Sequence, residues 1–206
     1  MELTQPVDWL NKEFEGYVVN TAFSSENNDK VMSLAGDISA KFPDVFYPTP
    51  SDGLHVTLLD WIAPLISYEG ANKVELFDSI HEKYDSALEK ILQKYEPINV
   101  NFNKIIVTPT TIIITGEDNG SIQKIRQEFV ESIELLPGTK MPPQIIHCSL
   151  GRFIKEVPVT EIQNFINQKS INFIEIIQEF RLVNTHREPM LEFDVLKTYN
   201  LGLLQD

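Results

Sequence analysis

Two short segments of this chain carry the same chemistry. One is Leu54-His55-Val56-Thr57-Leu58 and the other Ile146-His147-Cys148-Ser149-Leu150. Each sets a histidine two residues before a hydroxyl, inside an apolar run. The histidines are 147 − 55 = 92 positions apart, one in each half of the chain. One imidazole can accept a proton while another donates one, and two hydroxyls can hold phosphoryl oxygens as charge builds. That set of groups is sufficient to break a phosphate ester without a metal. The other two histidines have no hydroxyl at the same spacing: His81 precedes Lys83 and His186 precedes Glu188.

The motifs need strands to present them. In a strand, residues i and i+2 share a face and stand roughly 7 Å apart at the backbone, enough to straddle a phosphate. Strict alternation puts His55, Thr57, Leu59 and Trp61 on one face, and His147, Ser149, Gly151 and Phe153 on another. Cys148 then falls on the core side and reads as a small hydrophobe. Trp61 and Phe153 each follow their histidine by six residues. They are candidates for stacking on a nucleobase, with closure of the core at the strand end as the alternative. Arg152 would bring charge to a phosphate if the strand bends at Gly151; strict alternation points it away.

The remaining elements follow from periodicity. Gly16–Phe23 reads as a strand, followed by a helix through Val31, Leu34, Ile38 and Phe42. Pro43, Pro48 and Pro50 mark an irregular connection. A long helix is expected from about Asn72 to Tyr95, with Phe77, Ile80, Tyr84, Leu88 and Ile91 as its apolar stripe. Strands are expected over 99–107 and 110–115, then a loop at 116–120. A helix through Ile122, Ile125, Phe129, Ile133 and Leu136 ends at Pro137-Gly138. Thr160 and Gln163 form a capping-box pattern for a short helix. Phe173–Val183 and Leu191–Tyr199 read as two long strands joined by a turn near Glu188-Pro189. Strands and helices mix without βαβ alternation, so the expected class is α+β with antiparallel or mixed sheets. The two halves repeat one rough order, which hints at a pseudo-two-fold.

Composition narrows the field. A chain of 206 residues fits one domain of two lobes and can bury roughly 70% of its unfolded surface. The lone cysteine allows no intrachain disulfide and no cysteine-based zinc cluster. A reducing, cytoplasmic setting is expected, as is a monomer. The start of the chain has neither the basic region nor the apolar stretch of a signal peptide, and no apolar run reaches the ~20 residues of a membrane span. A net charge of −13 disfavours long nucleic acid, which is usually gripped by a basic stripe. No metal site or cofactor motif is present: the acidic residues are dispersed, and Asp118-Asn119-Gly120 is a turn signal lacking the rest of a calcium loop.

With its two H-x-[ST]-x segments about ninety residues apart, the chain resembles the 2H phosphoesterase superfamily, which includes 2′-5′ RNA ligase-like proteins and cyclic nucleotide phosphodiesterases. His147-Cys148-Ser149-Leu150-Gly151-Arg152 is similar to the family's frequent H-x-T-L-G-R form; the first motif continues instead with Leu59-Asp60. The resemblance implies a single bilobal domain over 1–206, with one motif from each lobe facing a central groove. It further implies a metal-independent phosphodiesterase with His55 and His147 as acid and base and Thr57 and Ser149 on the nonbridging oxygens. Expected substrates are a 2′,3′-cyclic phosphate, a 2′-5′ oligonucleotide or a cyclic oligonucleotide signal. Processing or sealing of RNA ends is the alternative, and needs a basic path drawn from Lys104, Lys140, Arg152, Lys155 and Arg181. A non-catalytic nucleotide-binding module of the same fold is a third reading.

Overall fold

The computed structural model describes residues 2–10, 12–188 and 190–202, so Pro189 of the expected turn lies outside the described residues. Two antiparallel sheets carry the structure. The first has the order β3-β1-β8-β9, from His55–Ile62 (β3), Glu13–Ala22 (β1), Glu179–Arg187 (β8) and Glu192–Asn200 (β9). The second has the order β2-β6-β5-β4-β7, from Phe46–Pro48 (β2), Ile146–Phe153 (β6), Thr111–Glu117 (β5), Ile98–Val107 (β4) and Phe173–Ile177 (β7). The class is α+β, as expected. β3 and β6, the two motif strands, are the elements through which the sheets touch.

Helices cover the outer faces. Ser25–Lys41 (α1) and Val159–Ile166 (α4) pack on the second sheet, while Lys73–Leu92 (α2) and Ser121–Ser132 (α3) pack together and against the first. α2 buries Ile80, Tyr84, Leu88 and Ile91, the stripe read from its periodicity, and Asn72 caps it by accepting from the Val74 backbone N–H at 2.8 Å. α3 begins after Gly120, which takes φ +91° where a side chain would be strained. Asp118 caps it, Oδ2 accepting from Ile122 N at 2.9 Å. α1 is capped from a distance: Glu175 on β7 accepts from Ser24 N and Ser24 Oγ at 3.0 Å each and from Asn27 Nδ2 at 2.8 Å. That buried carboxylate ties the first helix to the far edge of the second sheet.

Four expectations are corrected. α3 ends at Ser132, where Ile133 turns extended, so Ile133 and Leu136 lie outside the helix expected to reach Pro137-Gly138. Phe173–Val183 is not one strand: the chain leaves the second sheet after Ile177 and joins the first at Glu179, so Gln178 is a corner between sheets. Both halves are rich in aromatic and β-branched residues and no glycine or proline separates them, so the sequence shows no break at the corner. The irregular proline connection contains the short strand β2, which pairs with Phe153, Arg152 and Gly151 at the sheet edge, where proline is tolerated. α4 starts at Val159 after Pro158, without a side-chain cap, so Thr160 lies inside the helix.

Candidate functional site

β3 and β6 bring the two motifs to one groove of about 400 Å³, lined by His55, Thr57, His147, Ser149 and Arg152. Each motif strand buries the residue between histidine and hydroxyl: Val56 is 2% exposed and Cys148 is 1% exposed. Burial pushes the Cys148 thiol up to about 12, which leaves it inert.

The alternation breaks just past the hydroxyl in both strands. β1 pairs Val19 with Leu59 but Asn20 with Thr57, so Leu58 is an extra residue. β5 pairs Ile112 with Gly151 but Ile113 with Ser149, so Leu150 is extra in the same place. A one-residue bulge reverses the facing of everything after it. Asp60 and Arg152 therefore line the groove, while Trp61 and Phe153 turn into the core. The stacking expectation for these two aromatics is corrected. Trp61 lies parallel to Phe129 at 6.4 Å and edge-on to Tyr84 at 5.6 Å, and Phe153 packs against Phe46 at 6.0 Å. Gly151 is explained by the same strand: a side chain there would strike the Tyr47 carbonyl and the Phe46 ring of β2.

The two imidazoles are held differently. His55 Nδ1 lies 2.7 Å from the Gly53 carbonyl, which can only accept, so Nδ1 carries the proton and Nε2 is left for the groove. Burial pushes this imidazole down to about 4, with the Gly53 carbonyl opposing, Arg181 and Arg152 adding to the fall and Asp60 resisting it. His147 Nδ1 is buried without a hydrogen bond. Its pKa is lowered first by burial, the Ile145 carbonyl opposing and the Arg126, Lys140 and Arg152 charges adding to the fall. Arg126 Nη1 also donates to that carbonyl, at 3.3 Å.

Arg126 is a residue that sequence reading missed. It sits on the apolar side of α3, 2% exposed, and also donates to Leu58 O at 3.1 Å and Thr57 O at 2.6 Å. One guanidinium thus bonds the backbone of the first motif strand and the residue entering the second. Burial lowers its pKa to about 10, so it stays charged at neutral pH. An arginine at helical spacing among Ile122, Ile125 and Phe129 was the available signal.

Other groove residues missed in sequence are Thr49, Asp60 and Glu188. Thr49 Oγ1, on the proline connection, is buried without a partner among the described residues. Asp60 holds Lys140 at 3.0 Å. Glu188 accepts from Thr185 Oγ1 at 3.2 Å, and its burial raises its pKa although Thr185 and Arg152 oppose. Arg152 donates to Thr111 Oγ1 at 2.8 Å and lies over the Trp9 ring at 5.6 Å. Neither the 117–120 loop nor His186 lines the groove; His186 pairs with Asp194 at 2.9 Å.

The basic residues considered for an RNA path divide. Lys140 and Arg152 line the groove. Arg181 is two strands out from Thr57 through Asn20, and Lys104 two strands out from His147 through Thr115. Lys155 is turned to Asp44 at 3.8 Å. Among the described residues no group of three His, Cys, Asp or Glu side chains is placed to hold a metal ion. No described helix is long and apolar enough to cross a membrane.

No family model and no curated protein matches the sequence. Solved structures match the fold. TT0787 of Thermus thermophilus superposes with a TM-score of 0.64 at 17% identity, over 91% of this chain and 98% of that one. Escherichia coli LigT complexed with phosphate gives 0.59 at 13% identity, over 92% of this chain and 99% of that one. The same protein complexed with NADP+ gives 0.58 at 16% identity, with the same coverage. At such identities the likeness is one of fold. The chain has the fold of the 2H phosphoesterases.

Proposed function

We propose that this protein is a metal-independent phosphodiesterase that hydrolyses a small nucleotide phosphodiester or cyclic phosphate. The observation that carries the reading is the convergence of His55, Thr57, His147 and Ser149 on one groove that also holds Arg152. The groove volume suits a nucleotide-sized ligand, and LigT, which shares the fold, has been solved with phosphate and with NADP+.

His55 serves as the base. Its proton is fixed on Nδ1 by the Gly53 carbonyl, so Nε2 can take a proton from the attacking water. The water oxygen bonds to phosphorus, the ester P–O bond breaks, and the leaving oxygen takes a proton from His147. Thr57, Ser149 and Arg152 donate to the nonbridging oxygens as their charge grows. Both imidazoles are neutral in the free protein at pH 7, because burial depresses both. An arriving phosphate anion raises the pKa of a nearby imidazole and so supplies the protonated acid. Solvent then restores both protons. In the reverse direction the roles exchange.

The test is turnover in EDTA of 2′,3′-cyclic nucleotides, 2′-5′ oligoadenylate, 3′-5′ cyclic mononucleotides and cyclic dinucleotides. Wild type is compared with His55→Ala and His147→Ala. Cleavage of one class that survives EDTA and falls by ~100-fold or more in each variant is expected. Absence of cleavage, or activity indifferent to both histidines, overturns the proposal and leaves a binding module.

A further inference from the structure

The open face of the first sheet holds a cation that the groove chemistry does not use. Thr57, Asn20, Arg181 and Thr198 are paired in one row across β3, β1, β8 and β9, so their side chains share the face that carries His55. Strands lie about 4.8 Å apart, which puts Arg181 about 10 Å from Thr57 at the backbone.

Arg181 is built into place. Asn20 is fully buried, and its Oδ1 accepts from Arg181 Nε at 3.3 Å and Nη2 at 3.0 Å. The Phe193 ring lies 5.7 Å from the guanidinium carbon. Nη1 makes no hydrogen bond and the side chain no ion pair among the described residues; Glu179, two residues earlier, is the one carboxylate that bears on it. Burial lowers its pKa, so holding the charge here is costly and no anion among the described residues pairs with it. Its field nevertheless reaches His55. A fixed fork with free donors matches the two oxygens of a phosphodiester.

We propose that Arg181 binds the phosphate next to the one being cut, so that the substrate is an oligonucleotide with successive phosphodiesters and not a lone mononucleotide. The proposal rests on the phosphodiesterase reading for which phosphate is cut, but not for the binding itself. A mononucleotide would fill the groove and leave Arg181 without a partner. The flanking phosphate can belong to a linear chain or to a cyclic oligonucleotide.

The test measures affinity in the His147→Ala background, where turnover does not interfere. Probes are adenosine 2′,3′-cyclic phosphate, a linear triadenylate ending in the same cyclic phosphate, and cyclic triadenylate. The expected result is that one of the trinucleotides binds at least ten-fold more tightly than the mononucleotide, and that Arg181→Gln reduces that ratio about 10-fold. Arg181→Lys, which keeps the charge and loses the fork, should restore part of it. The better trinucleotide tells linear from cyclic. A ratio near one in the parent, a ratio untouched by Arg181→Gln, or no binding of any probe overturns the subsite. Arg181-dependent binding by a protein whose parent cuts none of the probes would retain the subsite and overturn the catalytic reading.

Discussion

Asp60 and Arg152 occupy equivalent places with opposite charges. Each follows its motif histidine by five residues, and each is turned into the groove by a bulge at the preceding leucine, Leu58 or Leu150. The groove is thereby polarised, with Arg152 beside the second motif and Asp60, holding Lys140, beside the first.

Asp60 should weaken anion binding. Its carboxylate repels a phosphate and ties down Lys140. Asp60→Asn removes the repulsion and frees the lysine, so KM for the nucleotide should fall about 3- to 10-fold at low salt, with a smaller change at high salt. KM measured at two ionic strengths checks this; a rise in KM would show that the carboxylate contacts substrate favourably.

Arg126 should matter for rate more than for binding. Arg126→Met leaves the Thr57, Leu58 and Ile145 carbonyls without their donor and should cost roughly 2–4 kcal/mol of stability. It also removes a cation near His147, so the His147 pKa should rise. The expected signature in folded Arg126→Met is a lower kcat at nearly unchanged KM, with the pH profile shifted upward; Arg126→Lys, which keeps the cation, should shift the profile less. Loss of stability with an unmoved profile would make the residue purely structural.

Activity should peak on the acid side. One imidazole must be neutral and the other protonated, and both are depressed below the ordinary 6.5, His55 to about 4. The bell of kcat/KM against pH should therefore centre below 6.5, with apparent values that belong to the pair. A bell centred above pH 7 would contradict the depressed imidazoles.

Stability should share that pH window with the opposite slope. His55 is buried neutral in the folded chain and titrates near 6.5 when unfolded. Between those values the unfolded chain binds more protons, so stability is fully present above about 6.5 and falls by up to about 3 kcal/mol as pH drops towards 4. Melting temperature against pH, in wild type and His55→Gln, checks it: the variant should lose part of the fall.

Trp61→Phe should separate core from ligand. The indole packs among Phe77, Tyr84 and Phe129 and does not line the groove. The substitution should lower the melting temperature and leave nucleotide KM within about two-fold, because it changes core packing alone. A large rise in KM at unchanged stability would return Trp61 to the binding site.

Local chemistry was legible in the chain itself. The H-x-[ST] spacing puts His55 with Thr57 and His147 with Ser149 by the period of a strand, and the apolar stripe of α2 follows from helical spacing. Those signals need only neighbours within a few residues. What tertiary structure decided depends on partners far along the chain. The bulges at Leu58 and Leu150 exist only against β1 and β5, and a bulge leaves no mark in the alternation until its partner strand is known. They exchanged Trp61 and Phe153 for Asp60 and Arg152 on the groove face. The corner at Gln178 and the reach of Arg126 to both motif strands were hidden for the same reason, since pairing and hydrogen bonding across scores of residues are set by packing and not by sequence period.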